Sequence, residues 1–279
     1  MLPARLDRSA LVQGLKARLF LLTRHRLSTS RWYGYYRSRE IQRALALPFD
    51  AEQLPPQYGR WVDERIVEYP WLFSRLPDGP GRLLDAGSVL NHDFVVGHPK
   101  LRRKSVTIMT LAPESECFWR QGISYIFGDL RHTCFQDNCF DQVVSLSTLE
   151  HVGLDNTLFY TSDASKKESD PAAFLDAVSE LRRVVKPGGV VLISVPFGRH
   201  VRRDWLQVFD GAMIDSMIDV FRPASHAATY FKYSASGGWQ LSSRAGAGDA
   251  IFFDPHVDTP WEGCPQTAEA VACLEMVKG

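Results

Sequence analysis

Residues 82–114, RLLDAGSVLNHDFVVGHPKLRRKSVTIMTLAPE, constrain the fold more than any other stretch of this chain. The apolar run Arg82-Leu83-Leu84-Asp85 breaks into the small residues Ala86-Gly87-Ser88, a helix-like segment follows, and a second β-rich run, Ser105 to Thr110, ends on a polar residue. That order is strand, tight turn, helix, strand. A glycine at such a turn lets backbone approach a ligand, and in open α/β sheets ligands bind in the crevice beyond the carboxyl ends of the strands. Gly87 stands alone where dinucleotide sites carry three glycines, so this unit taken by itself is equally an ordinary turn.

The alternation continues downstream. Residues 82–85, 105–110, 123–127, 142–147 and 190–195 read as strands, with helices expected near 113–121 and 171–185. Asp170 has the character of an N-cap with Pro171 at the first helical position, and Lys186-Pro187-Gly188-Gly189 stops that helix. Apolar strands joined by crossovers imply a mostly parallel sheet covered on both faces. Beyond Val195 the sequence predicts a helix over 210–219, a late pair of strands at 227–233 and 250–253, and a terminal helix over 266–278. Upstream, a helix over 58–76 interrupted by Pro70 runs into the turn Pro77-Asp78-Gly79-Pro80-Gly81. The expected organisation is a main domain over 58–279 preceded by a basic helical extension over 1–57.

Charge is balanced overall, 32 Lys and Arg against 32 Asp and Glu, so the whole chain offers no electrostatic case for nucleic acid. The balance is uneven along the chain: residues 1–47 hold ten Lys and Arg against Asp7 and Glu40, or +8, leaving about −8 for the rest. Residues 9–27 place Leu11, Leu15, Leu19 and Leu22 between Lys16, Arg18, Arg24 and Arg26, an amphipathic basic helix. Such a helix packs on its own domain or a partner subunit, or rests on a membrane surface; the pattern leaves both open. The aromatic segment Arg31 to Arg37, RWYGYYR, suits a substrate-facing lid or an interface. Five cysteines without a CxxC pair form neither a disulfide framework nor a zinc site, and no apolar run is long enough to span a bilayer. The expectation is a cytoplasmic protein without a transmembrane segment and without metal.

Five segments fall in order at the ends of successive strands: LLDAGS, IMTLAPE, FGDL, SLSTLEHVG and VVKPGGVVLISVP. Over residues 81–200 this set resembles the class I S-adenosylmethionine-dependent methyltransferases. The GSVLNH, LEHVGLD and VPFGRH wording is similar to members associated with bacterial glycan and sugar modification. The resemblance implies a doubly wound, mostly parallel, seven-stranded α/β sheet with S-adenosyl-L-methionine as cofactor. It assigns Asp85, Gly87 and Ser88 to the methionine end and Thr110 and Leu111 to the ribose. It further assigns Asp129 and Leu130 to the adenine edge, with Ser147 and Thr148 flanking the methionine. Two positions depart from the family pattern. Val89-Leu90-Asn91 makes the glycine cradle bulkier, and Thr110 stands where an acidic residue normally accepts the ribose hydroxyls. Glu114 substitutes only if the start of the following helix brings it inward.

For the chemistry, His151 after the fourth strand and His200 after the fifth are the candidate bases. His151 is also open to a purely structural role, and Asp155 and Asp204 lie near each in sequence. The polar segment 155–170 is expected to overhang an acceptor pocket to which Trp205, Tyr230, Tyr233 and Trp239 contribute flat faces. The function expected is methyl transfer to oxygen or nitrogen of a small acceptor, a sugar or glycoside. The alternative is a catalytically silent module that binds a partner through its basic arm. Homo-oligomerisation stays open.

Overall fold

Strands that are apolar on both sides can only sit in the middle of a layered molecule. The computed structural model describes residues 10–22, 31–158, 160–253 and 268–279. β1 (Gly81–Ala86), β2 (Lys104–Thr110), β3 (Ser124–Phe127), β4 (Phe140–Leu146) and β5 (Val185–Pro196) pair in parallel in the order β3-β2-β1-β4-β5. β6 (Val201–Arg202) and β7 (Gln207–Val208) form a separate short hairpin. β8 (Pro223–Ser234), β9 (Gly238–Ser242) and β10 (Ala270–Lys278) complete the sheet, β10 running antiparallel between β5 and β8 with β9 at the edge. The doubly wound, mostly parallel α/β class is as expected, with eight strands in the sheet where seven were anticipated. The extra one is β9, which doubles back on β8.

Successive residues of each strand serve opposite faces. Leu83, Val144, Leu192 and Cys273 pack on one side, with Phe20, Tyr33, Trp71 and other residues of α1 (Ala10–Leu22), α2 (Arg31–Leu45) and α3 (Arg65–Arg75). Leu84, Val143, Ile193 and Leu274 pack on the other, against α5 (Phe174–Val184) and α6 (Gly211–Phe221). Two short helices, α4 (Asp93–Val96) and α7 (Arg244–Ala247), lie in the connections. No described helix is long and apolar enough to cross a membrane.

Several local expectations are corrected. Residues 270–278, read as part of a terminal helix, are β10: its side chains are almost all buried between two strands, so tertiary pairing overrides the helix preference of Ala, Glu and Met. The helix over 113–121 reduces to a 3₁₀ turn at Trp119–Gln121. Residues 250–253 contribute only an isolated bridge, Phe252 to Ala268. Among the described side chains of α1, Ala17 and Phe20 are buried, while Leu15 and Leu22 of the leucine stripe are exposed. Tyr33 and Tyr36 of the aromatic segment are buried against Phe20, as core rather than lid. The helix expected from 58 begins at Arg65, and Pro70 does not interrupt it. Proline removes the bond to the carbonyl four residues back, and the Tyr58 hydroxyl donates to that Ile66 carbonyl at 3.0 Å. The helix after Asp170 begins at Phe174 rather than at Pro171.

Because Leu274 is fully buried in the strand that joins the parallel and antiparallel parts, Leu274→Ala is expected to lose about 2–5 kcal/mol of unfolding free energy. Urea denaturation with an unchanged slope measures the loss; a loss under about 1 kcal/mol contradicts the packing described.

Candidate functional site

Connections leave β1 in one direction along the sheet and β4 in the other, which opens a crevice at their carboxyl ends. A cavity of about 420 Å³ occupies it, within the roughly 300–1,000 Å³ usual for small-molecule sites. Of the sequence-predicted residues, Gly87, Ser88, Thr110, Leu111, Asp129, Leu130, Ser147, Thr148 and His151 all line this cavity. Two do not. Asp85 is fully buried beneath the turn, where its carboxylate accepts the Val89 and Leu90 amides at 3.2 and 2.7 Å. Burial pushes that carboxyl up to about 7 despite those two bonds. His200 is exposed beside the β6–β7 hairpin, its Nδ1 2.9 Å from the Val208 carbonyl.

The turn after β1 is held open by conformation. Gly87 has φ +123°, and a Cβ there would lie 2.1 Å from Thr148 Oγ1. Ser88 and Ser147 also have positive φ, at 69° and 42°. Such conformations persist only where surroundings over-determine them, and they face one another across the mouths of β1 and β4.

Beyond β2 the chain does turn Glu114 inward. Its carboxylate accepts from Ser88 Oγ, from Asn91 Nδ2 at 2.7 Å and from Thr110 Oγ1 at 3.3 Å. Asn91 also donates to the Glu116 carbonyl at 3.0 Å and accepts from Tyr125 at 2.8 Å. The Tyr125 hydroxyl in turn accepts the Phe118 amide at 2.8 Å. The two departures from the family pattern, Asn91 and Thr110, thus both grip the acid that stands over the end of β2.

At the end of β3, Asp129 is bound by Arg131 through the guanidinium, closest at 2.6 Å, and through the Arg131 amide at 2.9 Å. Burial raises the Asp129 carboxyl, but these bonds and the Arg131 charge outweigh it and hold it below the usual range. Arg131 also forks onto Glu168, with both bonds at 2.7 Å. The 155–170 segment is fastened to the cavity in this way, and Asn156, Tyr160, Lys166 and Glu168 line its rim.

His151 lies between β4 and that segment. Its Nδ1 is 2.8 Å from the Trp205 carbonyl, which can only accept, so Nδ1 carries the proton and Nε2 presents a lone pair. The Tyr160 hydroxyl donates to Nε2 at 3.1 Å, and Trp205 stacks on the ring at 5.4 Å. Burial lowers the imidazole to about 4. Of the other expected aromatics only Trp205 lines the cavity; Tyr230, Tyr233 and Trp239 are buried core.

Sequence reasoning did not place α3 in the site. Glu64, Arg65 and Tyr69 line the cavity, and behind them Glu68 is fully buried. Glu68 accepts from Ser147 and Ser194 at 2.7 and 2.6 Å and from Arg65 at 2.5 Å. A glutamate within the apolar run Ile66 to Phe73 was the available signal. Among the described residues no group of His, Cys, Asp and Glu is arranged to hold a metal ion.

Residues 102–193 match the family described as methyltransferase domain. No curated protein matches the sequence. Among solved structures, the chain is similar to a Burkholderia thailandensis 1,6-didemethyltoxoflavin-N1-methyltransferase bound to 1,6-didemethyltoxoflavin and S-adenosylhomocysteine, at 12% identity and TM-score 0.46 over 100% of this chain and 92% of that one. A Thermotoga maritima S-adenosylmethionine-dependent methyltransferase, described as a possible histamine N-methyltransferase, aligns at 12% identity and TM-score 0.45 over 96% of this chain and 100% of that one. The [4+2]-cyclase SpnF aligns at 15% identity and TM-score 0.47 over 87% and 93%.

The His151 geometry makes a spectroscopic prediction. Ring ¹⁵N shifts at pH 7 should report the Nδ1-protonated neutral tautomer, with a titration midpoint near 4. A midpoint near the ordinary 6.5 contradicts the burial of the ring.

Proposed function

We propose that this S-adenosylmethionine-dependent methyltransferase transfers the methyl group of its cofactor to an oxygen or nitrogen of a saccharide or glycosylated small molecule. The observation that carries the proposal is the succession of Gly87, Glu114, Asp129 and His151 beyond the ends of β1, β2, β3 and β4 around one cavity.

The residues fit the cofactor. Thr148 occupies the space that a Cβ at Gly87 would need, which seats the end of β4 against the turn after β1 and would set Ser88 and Ser147 beside the methionine portion. Asp85 acts indirectly, by fixing the amides of Val89 and Leu90 and hence the turn. Glu114, with Thr110 and Leu111 beside it, supplies the acceptor oxygens a ribose diol requires, in place of an acid at the end of β2 itself. Asp129 and the Leu130 backbone face the adenine edge, the carboxylate accepting from the exocyclic amine. Bound there, the cofactor supplies a methyl group on a sulfonium.

What the chain adds is positioning and a proton acceptor. Much of the acceleration available to an in-line displacement comes from holding the nucleophile against its target in a site that excludes water. His151 Nε2 is neutral, oriented and within reach of the cavity, so it takes the proton of an acceptor group once that group displaces Tyr160. The flat Trp205 ring and the polar rim of Asn156, Tyr160 and Lys166 suit a sugar, in line with the resemblance carried by GSVLNH, LEHVGLD and VPFGRH.

Isothermal titration with S-adenosylmethionine and S-adenosylhomocysteine tests the cofactor assignment; absence of binding at millimolar ligand refutes it. Glu114→Gln is expected to weaken S-adenosylhomocysteine about tenfold or more, through loss of charge-assisted hydrogen bonds of roughly 1.5–3 kcal/mol. Unchanged affinity removes Glu114 from the ribose. His151→Ala should lower kcat by about 10²–10⁴-fold with little change in cofactor affinity. In the wild type the acid limb of kcat should fall below pH 5 rather than near 6.5, because the base form persists down to the lowered value of about 4.

A further inference from the structure

We propose that the acceptor is gripped through a protonated amine, which narrows its class to an amine-bearing sugar or glycoside; this rests on the cavity being the acceptor site. The carrying observation is a pair of carboxylates in the cavity wall, each with one buried oxygen that no donor meets among the described residues. Glu150 is only 4% exposed, lines the cavity, and its Oε2 accepts no hydrogen bond among the described residues. Glu64, just before the first turn of α3, lines the same cavity with its own Oε2 buried and unpartnered.

Leaving such oxygens unpaired costs the desolvation of each. With no ligand, burial favours the neutral form of both carboxyls, and a cation bound between them favours the charged form. Burial, then the Asp63 and Glu68 charges, pushes Glu64 up to about 8, and burial likewise raises Glu150, with Glu68 and Glu64 adding to it. The guanidinium groups nearby are engaged elsewhere. Arg65 pairs with Glu68, Arg37 with Asp63, and Arg131 with Asp129 and Glu168. Lys166 stands at the Asp129 end, where its charge lowers that carboxyl. The His151 ring beside Glu150, Nε2 to Oε1 3.8 Å, is neutral and presents a lone pair.

Arg65, Arg131 and Lys166 thus line the same cavity, yet none of them donates to the Oε2 atoms of Glu64 and Glu150, which remain acceptors without a donor among the described residues. An ammonium has three N–H donors and no acceptor, which complements the two unmet carboxylate oxygens. A hydroxyl donates once and leaves one of the two oxygens unmet, and an anionic group brings no donor to either. The other cation that enters this crevice is the ammonium of the cofactor's methionine, and the test separates the two.

S-adenosylhomocysteine is first titrated calorimetrically into the full chain, so the cofactor reading stands or falls on its own. The loaded protein is then titrated with D-glucosamine and with D-glucose, followed by saturation-transfer NMR. Glucosamine is expected to bind at least about tenfold tighter than glucose, the difference a charge-assisted bond supplies. Glu150→Gln, which keeps the shape without the charge, should abolish the preference and leave S-adenosylhomocysteine affinity unchanged. Equal affinity for the two sugars, or no saturable glucosamine binding by the loaded protein, overturns the proposal while leaving the cofactor assignment intact. A Glu150→Gln loss that falls on S-adenosylhomocysteine assigns the carboxylate to the cofactor and also overturns it. Should Glu150→Gln fail to fold, Glu64→Gln is read by the same three outcomes.

Discussion

The site depends on one buried carboxylate. Glu68 on α3 accepts the hydroxyls of Ser147 and Ser194 with one oxygen and the Arg65 guanidinium with the other. Ser147 follows β4 and Ser194 lies in β5, so this single side chain seats a helix that precedes the whole sheet across the mouths of two of its strands. A carboxylate with no solvent exposure is tolerated only with bonds of this quality, and removing one partner leaves the rest uncompensated. The neighbouring Tyr69 hydroxyl donates to the Val89 carbonyl at 2.7 Å and ties the same helix to the turn after β1. Through these contacts the segment just before the sheet becomes a wall of the cavity.

Two of the six non-glycine residues with positive φ among the described residues, Ser88 and Ser147, lie in the same place. Gly87, Ser88 and Ser147 hold left-handed backbone where the turn after β1 meets the end of β4, and Thr148 fills the space that any side chain at 87 would need. The Asp85 carboxylate beneath, bonded to two successive amides, keeps the turn in that shape. The rigid part of the cavity is thus the end formed by β1 and β4. The end formed by β3 is closed instead by ion pairs between Asp129, Arg131 and Glu168.

The parallel half of the sheet was legible because strand runs such as Val190–Val195 and the stop at Pro187-Gly188-Gly189 are local signals. Residues at strand ends, from Gly87 to His151, were legible for the same reason, since topology alone delivers them to one crevice. What failed was whatever depends on partners distant in sequence. Ala270–Lys278 has a helix-forming composition, and only pairing with β5 and β8 makes it a strand. The leucines of α1 follow a helical stripe, yet the small Ala17 and the ring of Phe20 are what fit against Tyr33 and Tyr36. Glu114 was visible as a conditional substitute for the acid missing at Thr110; the condition is met by Asn91, itself an apparent anomaly in the glycine loop. His200 was placed by proximity to β5, but it leads directly into the β6–β7 hairpin, where its ring meets the Val208 carbonyl and does not line the cavity.

The position of β10 has a consequence for how the molecule is made. It lies between β5 and β8, although every other described strand of the sheet precedes it in the chain. Until residues 270–278 have left the ribosome, β5 presents an open edge and the β8–β9 hairpin has nothing to join. Long-range pairing of this kind is slow, and unpaired edges invite association with other chains. Nascent molecules therefore pass through an interval in which the parallel half can be formed and the sheet is still in two pieces, the period in which chaperones have the most to protect.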